Sequence, residues 1–144
     1  MKNVRRFAAF IIVLIASACA PAISRSVAAS AKSDVDKWLD AMRARGARVE
    51  PVGEAEQPFL SVTGSMVQVN GEDVQAFGYP SAAEMDAQAA RISPDGGTIG
   101  TSKIHWIGTP HFFKQGRLLV LYVGENGDLL RILAATLGRQ FAGK

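Results

Sequence analysis

The chain begins with three positive charges followed by a continuous apolar run. Lys2, Arg5 and Arg6 precede the run, which extends from Phe7 to Ala18. A helix of about 12 residues is about 18 Å long, which is too short for the roughly 30 Å hydrocarbon layer of a membrane. The pattern therefore predicts an export signal over residues 1–18 rather than a permanent membrane span.

Small residues end this run directly in front of the only cysteine of the chain. The tetrapeptide Ala16-Ser17-Ala18-Cys19 resembles the lipobox of bacterial lipoproteins. The resemblance implies that Cys19 receives a diacylglyceryl group, that the signal is cut off before it, and that the new amine is acylated. Two or three acyl chains anchor a protein stably in a bilayer. With Ala20 next, the sorting rules of that family favour the outer membrane in a Gram-negative host.

An alternative remains open at the same site. The residues Ala16 and Ala18 also fit ordinary cleavage at an Ala-x-Ala site. Cleavage without lipidation would leave a soluble secreted or periplasmic protein. The mass of the mature chain separates the two cases.

The next segment changes from small, non-periodic residues to a helical pattern. Residues 19–32 are rich in alanine and serine, which predicts a lipidated flexible tether. A helix is predicted over residues 34–45, capped by Ser33. A loop is predicted over residues 47–58, which contain two prolines and a glycine. These features place one globular domain at residues 33–144. The apolar positions at helical spacing are Val35, Trp38, Leu39 and Met42.

From residue 59 the hydrophobic period becomes two, which is typical of strands. Asn70-Gly71 predicts a tight hairpin turn before a return strand over residues 73–79. Ser81 and Glu84 have the spacing of a capping box and open a second helix. Residues 98–107 and 111–114 are predicted as further strands.

Residues 117–123 have almost no polar side chain, which predicts a strand buried on both faces. A final helix is predicted after Asp128. Hairpins followed by helices favour an antiparallel arrangement. The predicted fold is therefore a single α+β domain: a mostly antiparallel sheet of five or six strands with about three helices packed on one face.

Charge argues against a nucleic-acid partner. The whole chain has 16 basic and 13 acidic residues. Removing Lys2, Arg5 and Arg6 with the signal makes the two counts equal, and no basic stripe with aromatics remains. With its single cysteine committed to the anchor, the domain is predicted to have no internal disulfide.

Motifs for nucleophilic or phosphate chemistry are not found. The chain has no Gly-x-Ser-x-Gly elbow and no Ser-x-x-Lys. The glycine-rich stretch 95–103 precedes a predicted strand, whereas a phosphate loop precedes a helix. We interpret it as a turn. No catalytic residue, metal or cofactor is predicted on this basis.

The two histidines are the best candidates for chemistry. A turn at residues 108–110 would bring His105 and His111 face to face across a hairpin. A zinc site needs three or four ligands. No carboxylate lies between the two histidines, and Glu125 and Asp128 could approach them only through the fold. The favoured interpretation is a pair of polar residues at a strand edge, with a metal-binding or catalytic pair as the alternative.

Aromatic residues surround these histidines. Adjacent strand residues face opposite ways, so Phe112 and Phe113 cannot point the same way. If one of them is exposed, it belongs to a recognition surface. The candidate ligand patch consists of His105, Trp106, His111 and Phe112.

Residues 79–141 also resemble a set of short bacterial lipoproteins without an assigned activity. The stretches that carry the resemblance are 92–96, 105–106, 110–112 and 119–124. The resemblance covers less than half of the chain and transfers no catalytic residue.

The sequence thus predicts a lipid-anchored cell-envelope protein, most simply a non-catalytic binding or assembly module. Its partners would be the bilayer, through acylated Cys19, and an envelope protein or ligand that the sequence does not identify. The main alternative is a small envelope enzyme or metal-binding protein centred on His105 and His111. A further alternative is a secreted hydrolase inhibitor that uses residues 47–58 as a protruding loop.

Overall fold

The structure, a computed structural model, describes residues 22–144. The predicted export signal and Cys19 lie outside these residues. In chain order the elements are α1 (Ala22–Ala44), β1 (Val49–Ala55), β2 (Gly64–Val69), β3 (Glu72–Gly78), α2 (Ala82–Ala89), β4 (Thr98–Ile99), β5 (Ser102–Lys103), β6 (Pro110–Gln115), β7 (Leu118–Val123), α3 (Gly127–Leu137) and β8 (Ala142–Gly143).

Six of the strands form one antiparallel sheet in the order β1-β2-β3-β7-β6-β8. Strands β4 and β5 form a separate small hairpin. The predicted α+β fold is confirmed, with three helices within residues 22–144 and a six-stranded antiparallel sheet.

Strand β7 lies inside the sheet, between β3 and β6, as its apolar sequence predicted. Its side chains alternate between the two faces of the sheet. Val120 and Tyr122 enter one hydrophobic cluster, and Leu119 and Leu121 enter another. Every one of these four side chains is buried.

One face of the sheet, here called the helical face, is covered by α1 and α3. Trp38 Nε1 of α1 donates a hydrogen bond to Thr136 Oγ1 of α3 at 3.2 Å, which joins the two helices. Arg117, between β6 and β7, forms an ion pair with Asp34 of α1 at 2.7 Å. The large buried side chains on this face include Trp38, Met42, Val67, Val74, Phe113, Leu129, Leu133 and Leu137.

The opposite face, here called the loop face, is covered by α2, the β4–β5 hairpin and the loop 56–63. Met85 and Ala89 of α2 share a buried cluster with Phe77 and Leu119 of the sheet. Helix α2 thus lies on the other side of the sheet from α1 and α3. In this respect the arrangement differs from the prediction of one helical layer, because Phe77 and Leu119 point away from the helical face.

Helix α1 begins at Ala22, twelve residues before the predicted start. The predicted cap Ser33 therefore lies inside the helix, and residues 22–32 are helical rather than an irregular tether. Ala31 is buried, and its carbonyl oxygen would lie 2.8 Å from a Cβ placed on Gly78 of β3. This contact with the sheet stabilises the helix where the sequence has no strong apolar period.

The predicted loop 47–58 is wrong over most of its length, because β1 forms there and pairs with β2. The register shifts between Pro51 and Gly53, which indicates a bulge. Proline and glycine are tolerated on an edge strand, where one side of the backbone needs no partner. The protruding loop required by the inhibitor hypothesis is therefore not present in this segment.

The hairpin between β2 and β3 turns as predicted at Asn70-Gly71, which have φ values of 53° and 88°. Gly64 at the start of β2 has a different role. A Cβ at this position would lie 2.6 Å from the Ala76 carbonyl oxygen and from the Phe77 ring. A strand was predicted from residue 59, but residues 57–63 are irregular and the strand begins only at Gly64.

Candidate functional site

The structure divides the predicted ligand patch between two sides of the sheet. His111 and Phe112 are consecutive residues of β6 and point to opposite faces. His111 is 5% exposed and Phe112 is fully buried. These residues therefore do not form one exposed patch with His105 and Trp106.

Trp106 has a structural role on the loop face. Its Nε1 donates a hydrogen bond to the Gly96 carbonyl oxygen at 2.8 Å. Its ring makes edge contacts with Phe59 and Phe112 at centroid distances of 5.7 and 5.8 Å. Both Phe112 and Phe113 are covered, each by a different layer.

The two histidines have different environments. His105 is exposed in the irregular segment after β5. In contrast, His111 Nδ1 lies 2.7 Å from Gln140 Oε1, and Nε2 lies 3.0 Å from the Gly124 carbonyl oxygen. Its ring stacks on Tyr122 at 5.9 Å. Both ring nitrogens of His111 are thus engaged, and its environment is that of a histidine holding β6 to its neighbours.

Residues 22–144 contain no group of three or more His, Cys, Asp or Glu side chains arranged to hold a metal ion. Within the same residues no helix combines the length and apolarity needed to span a membrane.

The Tyr122 hydroxyl beside His111 is well partnered. It donates to Glu72 Oε2 at 3.1 Å and accepts from the Asn126 N–H at 3.1 Å. Burial raises the pKa of Tyr122, and the Asn126 N–H acts against this shift. Asn126 in turn caps α3 by accepting from the Leu129 N–H. This network links the sheet to the start of α3 and leaves no free polar group on Tyr122.

The glycine-rich stretch 95–103 begins in a turn, as interpreted from the sequence, and continues into the β4–β5 hairpin. The Asp95 carboxylate accepts hydrogen bonds from Ser93 Oγ at 2.6 Å and from the Gly97 N–H at 2.9 Å. These two bonds lower the pKa of Asp95. Further along, Gly96 and Gly100 have positive φ values of 69° and 62°.

The loop face contains an open cleft of about 350 Å³. It lies between the loop 56–63, the residues after α2 and the β4–β5 hairpin. Its volume is at the lower end of the range for small-molecule sites, roughly 300–1,000 Å³. We call it the Arg91 cleft, and its lining residues are Pro58, Phe59, Leu60, Ser61, Arg91, Ile99, Ser102 and Ile104.

Two connections fix the walls of the Arg91 cleft. Gln88 of α2 is 4% exposed, and its Nε2 donates to the Phe59 carbonyl oxygen at 3.2 Å. The Gly100 N–H donates to the Arg91 carbonyl oxygen at 2.8 Å. The first bond ties the loop to α2, and the second ties the end of α2 to the hairpin. The cleft is therefore formed before any ligand arrives, which lowers the cost of binding.

An unpartnered hydroxyl lies beside the cleft. Tyr79 follows β3 directly and is fully buried, and its hydroxyl lies close to the Ser61 hydroxyl without a hydrogen bond of regular geometry within residues 22–144. Burial raises the pKa of Tyr79 to about 12, while the nearby Ser61 hydroxyl and the charge of Arg91 act against this shift. Ser61 and Arg91 both line the cleft. A buried polar group without a regular hydrogen bond is unfavourable by about 1–3 kcal/mol.

Arg91 is the cation of the cleft. Its side chain has no hydrogen bond or ion pair within residues 22–144. Its guanidinium lies against Gly100, where a Cβ would be 2.8 Å from Nη2. Because glycine has no Cβ, Gly100 leaves room for the guanidinium, and it also adopts the positive φ of the turn without strain.

A second hollow of about 410 Å³ lies on the other side of Leu60 and Ser61. It is lined by residues of the loop 56–63 alone. Because it has no wall from α2 or the hairpin, it lacks the fixed borders of the Arg91 cleft.

Sequence reasoning did not single out Arg91, Tyr79, Ser61 or Gln88. These residues belong to three separate segments of the chain. No local spacing connects them, since they meet only when the loop and α2 pack on the same side of the sheet. The glycine-rich turn was recognised, but not its contact with Arg91.

Comparisons with known proteins add no relative. No family model matches the chain, and neither the curated proteins nor the solved structures contain a significant match.

Proposed function

We propose that this chain is an exported protein, anchored to a bacterial envelope membrane through acylated Cys19, that binds a small ligand in the Arg91 cleft. The N-terminal sequence supports export and anchoring, since basic residues, an apolar run and a lipobox-like tetrapeptide occur in the required order. The observation that carries the binding role is the Arg91 cleft itself, in which a cation, hydroxyls and apolar side chains share one lining.

The cleft favours binding over acid–base catalysis. Efficient general acid–base groups have pKa values near the working pH. The charged group of the lining is the Arg91 guanidinium, and burial raises the pKa of the nearby Tyr79 to about 12. The guanidinium is suited to donate hydrogen bonds to a ligand. Neither histidine of the alternative hypothesis lines the cleft.

Lipid anchoring is tested by the mass and location of the protein expressed in a bacterial host. We expect the mature chain to begin at Cys19, to carry the mass of added acyl groups and to fractionate with membranes. Cys19→Ser is expected to lose both properties. An intact mass equal to that of an unmodified chain would contradict lipidation and favour simple secretion.

Ligand binding at the cleft is tested by nuclear magnetic resonance with a library of small, chemically diverse fragments. We expect fragments to shift the backbone amide signals of Ser61, Ile99 and Ser102. Ser102→Trp should block these shifts by filling the cleft. Thr101→Trp is the matched control, because Thr101 is exposed in the same hairpin and does not line the cleft. A library in which no fragment shifts these signals would overturn the binding proposal.

A further inference from the structure

We infer that the Arg91 cleft takes a small monocarboxylic acid with an apolar chain, whose carboxylate pairs with Arg91 and whose chain lies against Ile99 and Ile104. This inference rests on the proposed binding role of the cleft. It goes beyond that role by naming the chemical class of the ligand.

The first argument is charge. Some exposed cations of this domain have carboxylate partners, as in the ion pairs Lys114–Asp86 and Arg43–Asp40 at 2.6 and 2.8 Å, whereas Arg139 has none within residues 22–144. The Arg91 guanidinium has no such partner within residues 22–144, although it is held in place against Gly100. A carboxylate matches the planar fork of a guanidinium with two parallel hydrogen bonds.

The second argument concerns the other donors of the cleft. The hydroxyls of Ser61 and Ser102 belong to its lining and can donate hydrogen bonds to a ligand oxygen. The Tyr79 hydroxyl lies behind Ser61, is fully buried and is not part of the lining. The pattern of one cation with a few neutral donors fits a singly charged anion.

The third argument separates a carboxylate from a phosphate. A phosphate carries more charge and more acceptor oxygens than one guanidinium neutralises. Lys103 is the nearest other cation in sequence, but it is exposed on β5 and does not line the cleft. The apolar half of the lining likewise favours a ligand with a hydrocarbon part, because burial of that part contributes to affinity. The apolar side chains are Phe59, Leu60, Ile99 and Ile104.

The experiment titrates the full chain with three probes while the amide signals of the cleft are recorded. Hexanoate has both the head group and the chain, hexanol has the chain alone, and acetate has the head group alone. We expect hexanoate to bind at least about tenfold more tightly than either of the other two, because each lacks one half of the interaction. Inorganic phosphate serves as a fourth probe and should bind more weakly than hexanoate.

Three variants assign the effect to named groups. Arg91→Gln should weaken hexanoate binding by about tenfold or more, as expected for the loss of a charge-assisted hydrogen-bonded pair. Ser61→Ala should weaken it by a smaller factor, because it removes one neutral donor of the lining. Arg139→Gln is the matched control, since Arg139 is also exposed and without a partner within the described residues but lies away from the cleft.

The outcomes separate this inference from the proposed function. Equal binding of hexanoate and hexanol, or unchanged binding by Arg91→Gln, would overturn the carboxylate class while the cleft itself still binds. Tighter binding of phosphate than of hexanoate would overturn it in favour of a phosphate ligand. Absence of hexanoate shifts in the cleft would also overturn it, and the fragment library then decides the binding role independently.

Discussion

The two faces of the central sheet are covered in different ways. On the helical face, α1 and α3 form a continuous layer, and only Leu130 and Ile132 among the hydrophobic residues packed there are half-buried. The loop face is covered by a short helix, a small hairpin and irregular segments. Seven of the hydrophobic side chains packed there are only half-buried. The difference teaches that the helical layer closes one face of the sheet, whereas the looser cover of the other face leaves the open Arg91 cleft.

Each face has one buried tyrosine, and the two show the same contrast. The Tyr122 hydroxyl on the helical face has two partners, Glu72 and Asn126. The Tyr79 hydroxyl on the loop face has none within residues 22–144. The two tyrosines therefore differ in how well the layer that covers them satisfies their hydroxyl groups.

The largest expected effect comes from truncating the core of the helical face. Leu133 of α3 is fully buried between the helices and the sheet. Leu133→Ala should lower the free energy of unfolding by about 3–4 kcal/mol, because it removes buried methyl groups and leaves a cavity. Ile104→Ala on the loop face should cost about 1 kcal/mol, since Ile104 is only half-buried. Urea unfolding measures both, and equal losses would refute the difference between the two faces.

The next effect is a difference in sign between the changes in unfolding free energy expected for the two tyrosine substitutions. Tyr122→Phe should destabilise the domain by about 1–2 kcal/mol, because Asn126 N–H and Glu72 lose their shared partner. Tyr79→Phe should leave stability unchanged or raise it by about 1 kcal/mol, because it removes a buried hydroxyl without a partner. Denaturant unfolding at pH 7 distinguishes them. A clear loss of stability in Tyr79→Phe would show that this hydroxyl has a partner in solution.

A pH effect of similar size should come from Tyr79 in alkaline solution. Its pKa is raised from 10.0 to about 12 in the folded state, so the folded protein retains the proton longer than the unfolded chain. This contribution to stability is fully present below pH 10 and is lost as the pH rises from 10 to 12. By pH 11 the loss should be about 1.4 kcal/mol.

The matched variant isolates this pH effect. Tyr79→Phe should remove it and leave the alkaline loss that arises from Tyr122, whose pKa is also raised by burial. Unfolding free energies measured from pH 9 to pH 11 provide the comparison. Parallel curves for the parent and the variant would contradict the burial of the phenol.

The smallest expected effect concerns one ion pair on each face. Asp34 and Arg117 on the helical face pair at 2.7 Å and are about three-quarters buried. Asp34→Asn should therefore cost about 1 kcal/mol. Lys114 and Asp86 on the loop face are more exposed, so Asp86→Asn should change stability by less than about 0.5 kcal/mol. Thermal unfolding at low and high salt measures both, and a larger loss for Asp86→Asn would reverse the ranking.

Local patterns in the sequence predicted the regular parts of the sheet well. The Asn70-Gly71 turn, the return strand and the doubly buried β7 follow from turn chemistry and hydrophobic period, which act over a few neighbouring residues. Ser81 caps α2 as expected, accepting from the Glu84 N–H at 3.2 Å. By contrast, β1 was missed because its proline and glycine are tolerated only by its edge position, which local sequence does not encode.

The residues of the candidate site, in contrast, were not predicted from local patterns in the sequence. The sequence directed attention to His105, Trp106, His111 and Phe112, because these residue types are often functional. The sheet then placed His111 and Phe112 on opposite faces, since consecutive strand residues point in opposite directions. Residue type alone could not foresee that Trp106 would donate its N–H to Gly96 and close the core.

The sequence by itself determined the order of most elements, the antiparallel sheet and the expectation of an exported, lipid-anchored chain. Only the tertiary structure decided which side of the sheet α2 covers and where an open cleft remains. The physical reason is the distance along the chain between the residues that interact. Turns and periodic strands depend on neighbours in the chain, whereas the Arg91 cleft forms where Ser61, Arg91 and Ser102 converge from separate segments.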